Sequence, residues 1–148
     1  MIQKIRLSPI AKTIAFITLF WGAHSVYPQS GNTKGLKDYY RDYFNIGVAV
    51  SPYALKTDEA ALLVDQFNSL TAENAMKMGP IHPSEKEFSW AGADAIVEFA
   101  QKNNLKMRGH TLCWHSQTPK WLFVNDEGKN VSKEVLLARL KEHITTVM

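Results

Sequence analysis

The chain has 148 residues, 17 of them Lys or Arg and 14 Asp or Glu, with a single Cys, 45% hydrophobic and 11% aromatic residues. That composition fits one globular domain and excludes a disordered, collagen-like or disulfide-scaffolded chain. The formal charge of +3 is local: Lys4, Arg6 and Lys12 lie in the first 25 residues, which hold no acid, and from Val26 onward bases and acids balance at 14 each. A neutral body lacks the surplus cations that phosphate neutralisation requires, so nucleic acid and anionic membranes are not expected partners.

Residues 1–25 read as an export signal. Lys4 and Arg6 form a positive start, Ile14 to Ala23 an uncharged and mostly apolar run, and Ala23-His24-Ser25 places small residues where a signal peptidase cuts. A helix of that run reaches about 15 Å, half of a roughly 30 Å hydrocarbon core, so a cleaved leader is favoured over a membrane span. The mature chain is then expected in the periplasm or outside the cell, with no membrane attachment after cleavage. Cys113 has no partner for an intramolecular disulfide, and the polar stretch 26–34 reads as a linker.

Phe44 to Val50 is a short β-branched run ended by Ser51-Pro52, the first predicted strand. Thr57 before Asp58 and Glu59 reads as the N-cap of a helix with Leu62, Leu63, Gln66 and Phe67 at helical spacing. Asn68 to Ala72 is the second strand, followed by a loop with Gly79, Pro80 and Pro83. Trp90, Ala93, Ile96, Val97 and Ala100 form one helical stripe that stops at Asn103-Asn104. Leu105 to Thr111 is the third strand, and a loop with Trp114, Pro119, Trp121 and Gly128 leads to a helix capped by Ser132, with Leu136, Leu137, Leu140, Ile144 and Val147 as its inner face. The order βαβαβα predicts a parallel sheet with crossover helices, the opening of either a doubly wound sheet or a (β/α)8 barrel. No Gly-rich phosphate loop follows a strand, which weakens the nucleotide-binding version. Three strands do not close a barrel, so the chain reads as the front portion of a longer domain.

Polar and aromatic residues gather after the second and third strands: Glu73, Asn74 and Lys77, then His110, Trp114, His115 and Gln117. Loops at the C-terminal ends of parallel strands share one face and bind ligands there. A carboxylate, amides, an ammonium, an imidazole and indole faces are the donors, acceptors and flat apolar surfaces that a pyranose requires. His82, His110, Cys113 and His115 also invite a zinc reading, but no His-x3-His or Cys-x2-Cys pair is present, and no metal is expected. Trp90 and Phe99 read as packing, and Glu85, Glu87, Asp126 and Glu127 as exposed charges.

Two long motifs stand in order, Thr71-Ala72-Glu73-Asn74-Ala75-Met76-Lys77 and Arg108-Gly109-His110-Thr111-Leu112-Cys113-Trp114-His115-Ser116-Gln117-Thr118-Pro119-Lys120-Trp121. From about Leu36 to Met148 the chain resembles glycoside hydrolase family 10, the endo-β-1,4-xylanases. The resemblance implies an α/β fold, a partial (β/α)8 TIM barrel of about three βα units at residues 35–148, acting on xylan and xylo-oligosaccharides with retention and without cofactors, a monomer when complete. It implies that Glu73, Asn74 and Lys77 bind the xylose two units from the scissile bond. His110 and Trp114 would surround the sugar at that bond, with Gln117 near the same glycone side and Trp121 supporting the loop. Retaining hydrolysis needs two carboxyl groups about 5 Å apart. The family's two catalytic Glu follow strands four and seven and have no counterpart here, so no catalytic residue is expected in this chain, which alone would be inactive. A non-catalytic xylo-oligosaccharide-binding fragment is the alternative.

Overall fold

The computed structural model describes residues 34–148; the export signal expected at residues 1–25 and nearly all of the linker expected at 26–34 lie outside the described residues. The elements are a short helix α1 (Leu36–Tyr39), strand β1 (Gly47–Val50), helix α2 (Glu59–Gln66), strand β2 (Ser69–Ala72), a one-turn helix α3 (Met78–Ile81), helix α4 (Ala91–Lys102), strand β3 (Lys106–Arg108) and helix α5 (Lys133–Val147). Two 3-10 turns, Ala54–Lys56 and Lys120–Leu122, lie in the loops.

The sheet has the order β1-β2-β3 and both pairs are parallel, with Val50 opposite Ala72 and Thr71 opposite Arg108. Alternation then sorts the side chains. Val50, Leu70 and Ala72 are at most 2% exposed and pack with Leu63 of α2 and with Ile96 and Ala100 of α4 in one core. Both crossover helices therefore cover the same face of the sheet, the arrangement of a barrel wall, whereas a doubly wound sheet carries helices on both faces. The opposite face bears Gly47, Ala49, Thr71 and Arg108, which line an open concavity of about 490 Å³.

The strands are shorter than the sequence predicts. β1 begins at Gly47 because Phe44 leaves the sheet to stack on Tyr40, with ring centroids 5.2 Å apart. β3 keeps only Lys106–Arg108, the residues with partners on β2. Helix α2 starts at Glu59 with Asp58 in the cap position, while Thr57 Oγ1 accepts from Glu59 N at 3.3 Å and donates to Ala54 O at 3.0 Å, so Thr57 ties helix to preceding turn. Phe67, predicted as helical, is extended and closes the helix.

Helix α4 stops where the two asparagines stand. Asn103 Nδ2 donates to Phe99 O at 2.8 Å, Asn104 takes the left-handed conformation (φ 53°), and Leu105 N reaches back to Ala100 O at 2.8 Å. These bonds satisfy carbonyls that the helix end would leave bare. Ser132 caps α5 as predicted, its hydroxyl accepting from Val135 N at 3.4 Å. Backbone and Ser132 hydrogen bonds hold the Glu134 carboxyl in that first turn below its usual range.

The predicted inner face of α5 needs correction at one position: Leu136, Leu140, Ile144 and Val147 are half-buried as expected, and Leu137 is not. Leu137 is 52% exposed, and the one buried residue of the helix is His143, at 1%. α5 packs against the 3-10 turn at Lys120–Leu122 and the loop around His82, so its buried stripe carries Arg139 and His143. At the other end Gly35 is required: a Cβ there would lie 2.1 Å from the Asp65 carbonyl oxygen. That contact lets Leu36 N donate to the Gln66 side chain at 3.0 Å and docks α1 on α2.

Candidate functional site

β2 ends at Ala72 and the chain turns at once, its first loop residue fixed by Glu73 N donating to Val50 O at 3.0 Å. The next turn closes through Lys77 N to Asn74 O at 2.9 Å, which brings the Lys77 side chain back over Asn74. Lys77 Nζ donates to Asn74 Oδ1 at 2.8 Å, and Gln117 Nε2, from the loop after β3, donates to the same oxygen at 3.0 Å. One amide oxygen thus joins the two loops. Its NH2 group takes no part in either bond.

Lys77 is only 8% exposed, yet among the described residues no carboxylate pairs with it. The ammonium is held by the Asn74 oxygen and by the Trp114 ring, whose centroid is 4.6 Å from Nζ. A cation over an indole gains about 0.5–2 kcal/mol depending on desolvation, and here it also orients the ring. His115 meets Trp114 edge-on at 4.8 Å and His110 lies at 6.2 Å in a tilted arrangement. Trp114 is 37% exposed, so one aromatic surface stays available above this polar base.

The second loop approaches closely. Gly79 N donates to Gln117 O at 2.9 Å, and a Cβ on Gly79 would stand 2.8 Å from that oxygen. Gln117 adopts a left-handed backbone (φ 59°), which directs its side chain to Asn74 while its carbonyl faces Gly79. Thr118 Oγ1 closes the turn on Trp114 O.

The structure therefore joins Asn74, Lys77, Trp114 and Gln117 in one network, with His110 beside it. Glu73 stands apart from the network: exposed, it lines the open concavity with Thr71, Arg108 and His110. Arg108 was not singled out from the sequence, although its register opposite Thr71 places it one step below His110 on the same face. Trp121 is a supporting residue, half buried, with its indole N donating to His82 O at 3.0 Å.

The zinc reading meets a different arrangement. Among the described residues no group of three or more His, Cys, Asp or Glu could hold a metal ion. His82 is buried in an aromatic sandwich, its ring 3.8 Å from Phe88 and 4.4 Å from Trp121, and Cys113 is exposed. Glu85 was expected to be a plain surface charge. It receives both Nε and Nη2 of Arg139, at 2.6 and 2.7 Å, and Arg139 Nη1 caps the carbonyls of Trp121 and Val124.

Parallel strands wound with helices on one face, and a polar and aromatic cluster on the loops after β2 and β3, define the class: an α/β chain forming part of a (β/α)8 barrel. Residues 35–148 match the family model described as glycosyl hydrolase family 10, and the chain belongs to that family. It is 51% identical over 115 residues to an endo-1,4-beta-xylanase/feruloyl esterase of Xylanibacter ruminicola, covering 77% of this chain and 16% of that protein. It is 42% identical over 132 residues to endo-1,4-beta-xylanase A of Halalkalibacterium halodurans, covering 82% of this chain and 33% of the relative. The chain thus spans well under two thirds of the length of these relatives. Among solved structures, an endo-1,4-beta-xylanase from Caldicellulosiruptor owensensis superposes with a TM-score of 0.74 at 50% identity, over 78% of this chain and 35% of its own. A mutant protein in complex with xylotriose gives 0.74 at 43% identity, over 78% and 35%.

Proposed function

We propose that residues 35–148 are the N-terminal part of a secreted, retaining endo-1,4-β-xylanase and supply sugar-binding groups on its glycone side. Residues 1–25 act as the export signal and 26–34 as a linker, delivering the protein to the periplasm or the exterior. The reading is carried by one observation, the Asn74 oxygen that accepts from both Lys77 and Gln117 beneath Trp114. With its oxygen engaged, the Asn74 NH2 faces outward as a donor, and Lys77 keeps further N–H groups for sugar hydroxyls. Glu73 supplies the acceptor, Trp114 a flat face for a pyranose ring, and His110 a polar group toward the sugar at the scissile bond. The two carboxyl groups of a retaining mechanism lie on the remainder of the barrel, so this chain binds and orients the substrate and does not cleave it.

The test joins the chain to the C-terminal portion of the Halalkalibacterium halodurans xylanase and measures reducing ends released from xylan. The 148-residue chain alone is expected to release none, and the joined protein to be active. His110→Ala in it should lower kcat, while Lys77→Met should mainly raise KM. Hydrolysis by the chain alone, or unchanged kinetics in both variants, refutes the assignment. The alternative, a non-catalytic binding fragment, draws on the network being complete within this chain; saturable xylotetraose binding by the chain alone, together with no activity of the joined protein, supports it.

A further inference from the structure

The register of the sheet sets the height at which its loops begin. Val50 stands opposite Ala72 and Thr71 opposite Arg108, so Ser51 after β1, Glu73 after β2 and His110 after β3 leave the sheet close to one level. The proposed site uses only the second and third of these loops. The first, Ser51-Pro52-Tyr53, carries a tyrosine that is 75% exposed, and its ring takes no part in the aromatic contacts of the described residues. Tyr39, Tyr43 and Phe44 are exposed as well, but all precede β1 and belong to the other end of the strands.

The backbone that presents Tyr53 is held on both sides. Ser51 Oγ accepts from Ala54 N at 3.3 Å, Tyr53 O accepts from Lys56 N at 3.0 Å, and Ala54 is buried, so the ring is free while its loop is fixed. The same loop abuts the one that carries Asn74 and Lys77. A Cβ on Gly92, at the start of α4, would stand 3.6 Å from Pro52 Cγ and 3.5 Å from Ala75 Cβ, which places the two loops side by side over one helix end. Ser51 and Ala54, flanking Tyr53, also line a cavity of about 320 Å³ together with Glu73.

We propose that Tyr53 is a further sugar-binding residue: it stacks on the third xylose from the scissile bond and extends the glycone side by one unit. The inference rests on the proposed function, in which the sugar at the bond lies by the loop after β3 and the next sugar by the loop after β2. The strand order β1-β2-β3 makes the loop after β1 the next in line. Neighbouring strands lie about 4.8 Å apart, close to the advance of a β-1,4-linked chain per pyranose, so one strand step carries one sugar. Xylose has no exocyclic carbon, which leaves its ring faces flat and lined by C–H groups, a surface that suits an exposed phenol ring. Because the loop is fixed before the sugar arrives, little of the contact is lost to ordering the backbone.

The experiment titrates the 148-residue chain with xylobiose and with xylotriose by calorimetry. Xylotriose is expected to bind about threefold to tenfold more tightly than xylobiose, the difference made by one aromatic contact. Tyr53→Ala should remove that advantage while changing xylobiose affinity by less than about twofold, and Tyr53→Phe, which keeps the ring, should retain it. A urea midpoint equal to that of the unaltered chain verifies that each variant folds. Equal affinities for the two sugars in the unaltered chain, xylotriose binding undiminished in Tyr53→Ala, or an equal loss for both sugars overturns the proposal and leaves the proposed function standing. Absence of binding of either sugar to the unaltered chain overturns both.

Discussion

Replacing Arg139 separates two ways in which a guanidinium can hold a fold together. Its side chain is 12% exposed and that of Glu85 is 43% exposed, so the ion pair is neither a surface pair nor a buried one. Exposed pairs contribute about 0–1 kcal/mol, whereas breaking a buried pair costs about 3–5. Half-exposure on the acid side places this pair near the lower figure, at about 1 kcal/mol. Arg139 also donates to the carbonyls of Trp121 and Val124, which belong to half-buried residues. Each carbonyl left without a donor costs about 1 kcal/mol or somewhat more. Arg139→Met should therefore destabilise by about 3 kcal/mol, and Glu85→Gln, which leaves both carbonyls capped, by about 1. Arg139→Lys keeps the charge but cannot span a carboxylate and two carbonyls at once, so it should recover less than half of the loss. Urea titration measures this: with a slope of about 1.5 kcal/mol/M, the Arg139→Met midpoint falls by about 2 M and that of Glu85→Gln by under 1 M. If Glu85→Gln costs as much as Arg139→Met, the carbonyls contribute nothing and the reasoning fails.

Two further outcomes follow from burial and close approach. Leu70 is fully buried beneath α2 and α4, so Leu70→Ala should cost about 2–5 kcal/mol in the same titration, whereas Leu137→Ala, at a position 52% exposed, should stay within about 0.5. Equal costs would mean that Leu137 does face a core, as its spacing in the sequence predicts. Gly35→Ala forces a Cβ to within 2.1 Å of the Asp65 carbonyl and should undock α1, seen as faster amide exchange over residues 36–39; unchanged exchange would show that the backbone yields without cost.

The parts of the fold legible in the sequence are those fixed by local chemistry. Asn103-Asn104 ends α4 because the side chain of one caps Phe99 O and the other tolerates a left-handed backbone, and Ser132 starts α5 because its hydroxyl reaches Val135 N. Strand lengths were less legible, because a strand ends where its neighbour ends. Leu105 to Thr111 is uniformly plausible as extended chain, but only Lys106–Arg108 find partners on β2.

The same division runs through the site. Asn74 and Lys77 lie three residues apart, so one turn joins them and their spacing announces the contact. Gln117 joins through a distant loop, and its place after the third strand pointed to the shared face but not to its bond with Asn74. His143 and Arg139 carried no such signal, because on a helical stripe with Leu136, Leu140 and Ile144 they read as polar interruptions beside an apolar rival, Leu137. What decides between Leu137 and His143 is the surface that α5 meets. That surface is the aromatic and carbonyl-rich loop around His82 and Trp121, which offers hydrogen bonds that a leucine cannot use. A helix facing the apolar sheet would bury Leu137; one facing this loop buries a guanidinium and an imidazole, whose donors find the Trp121 and Val124 carbonyls and the His82 ring.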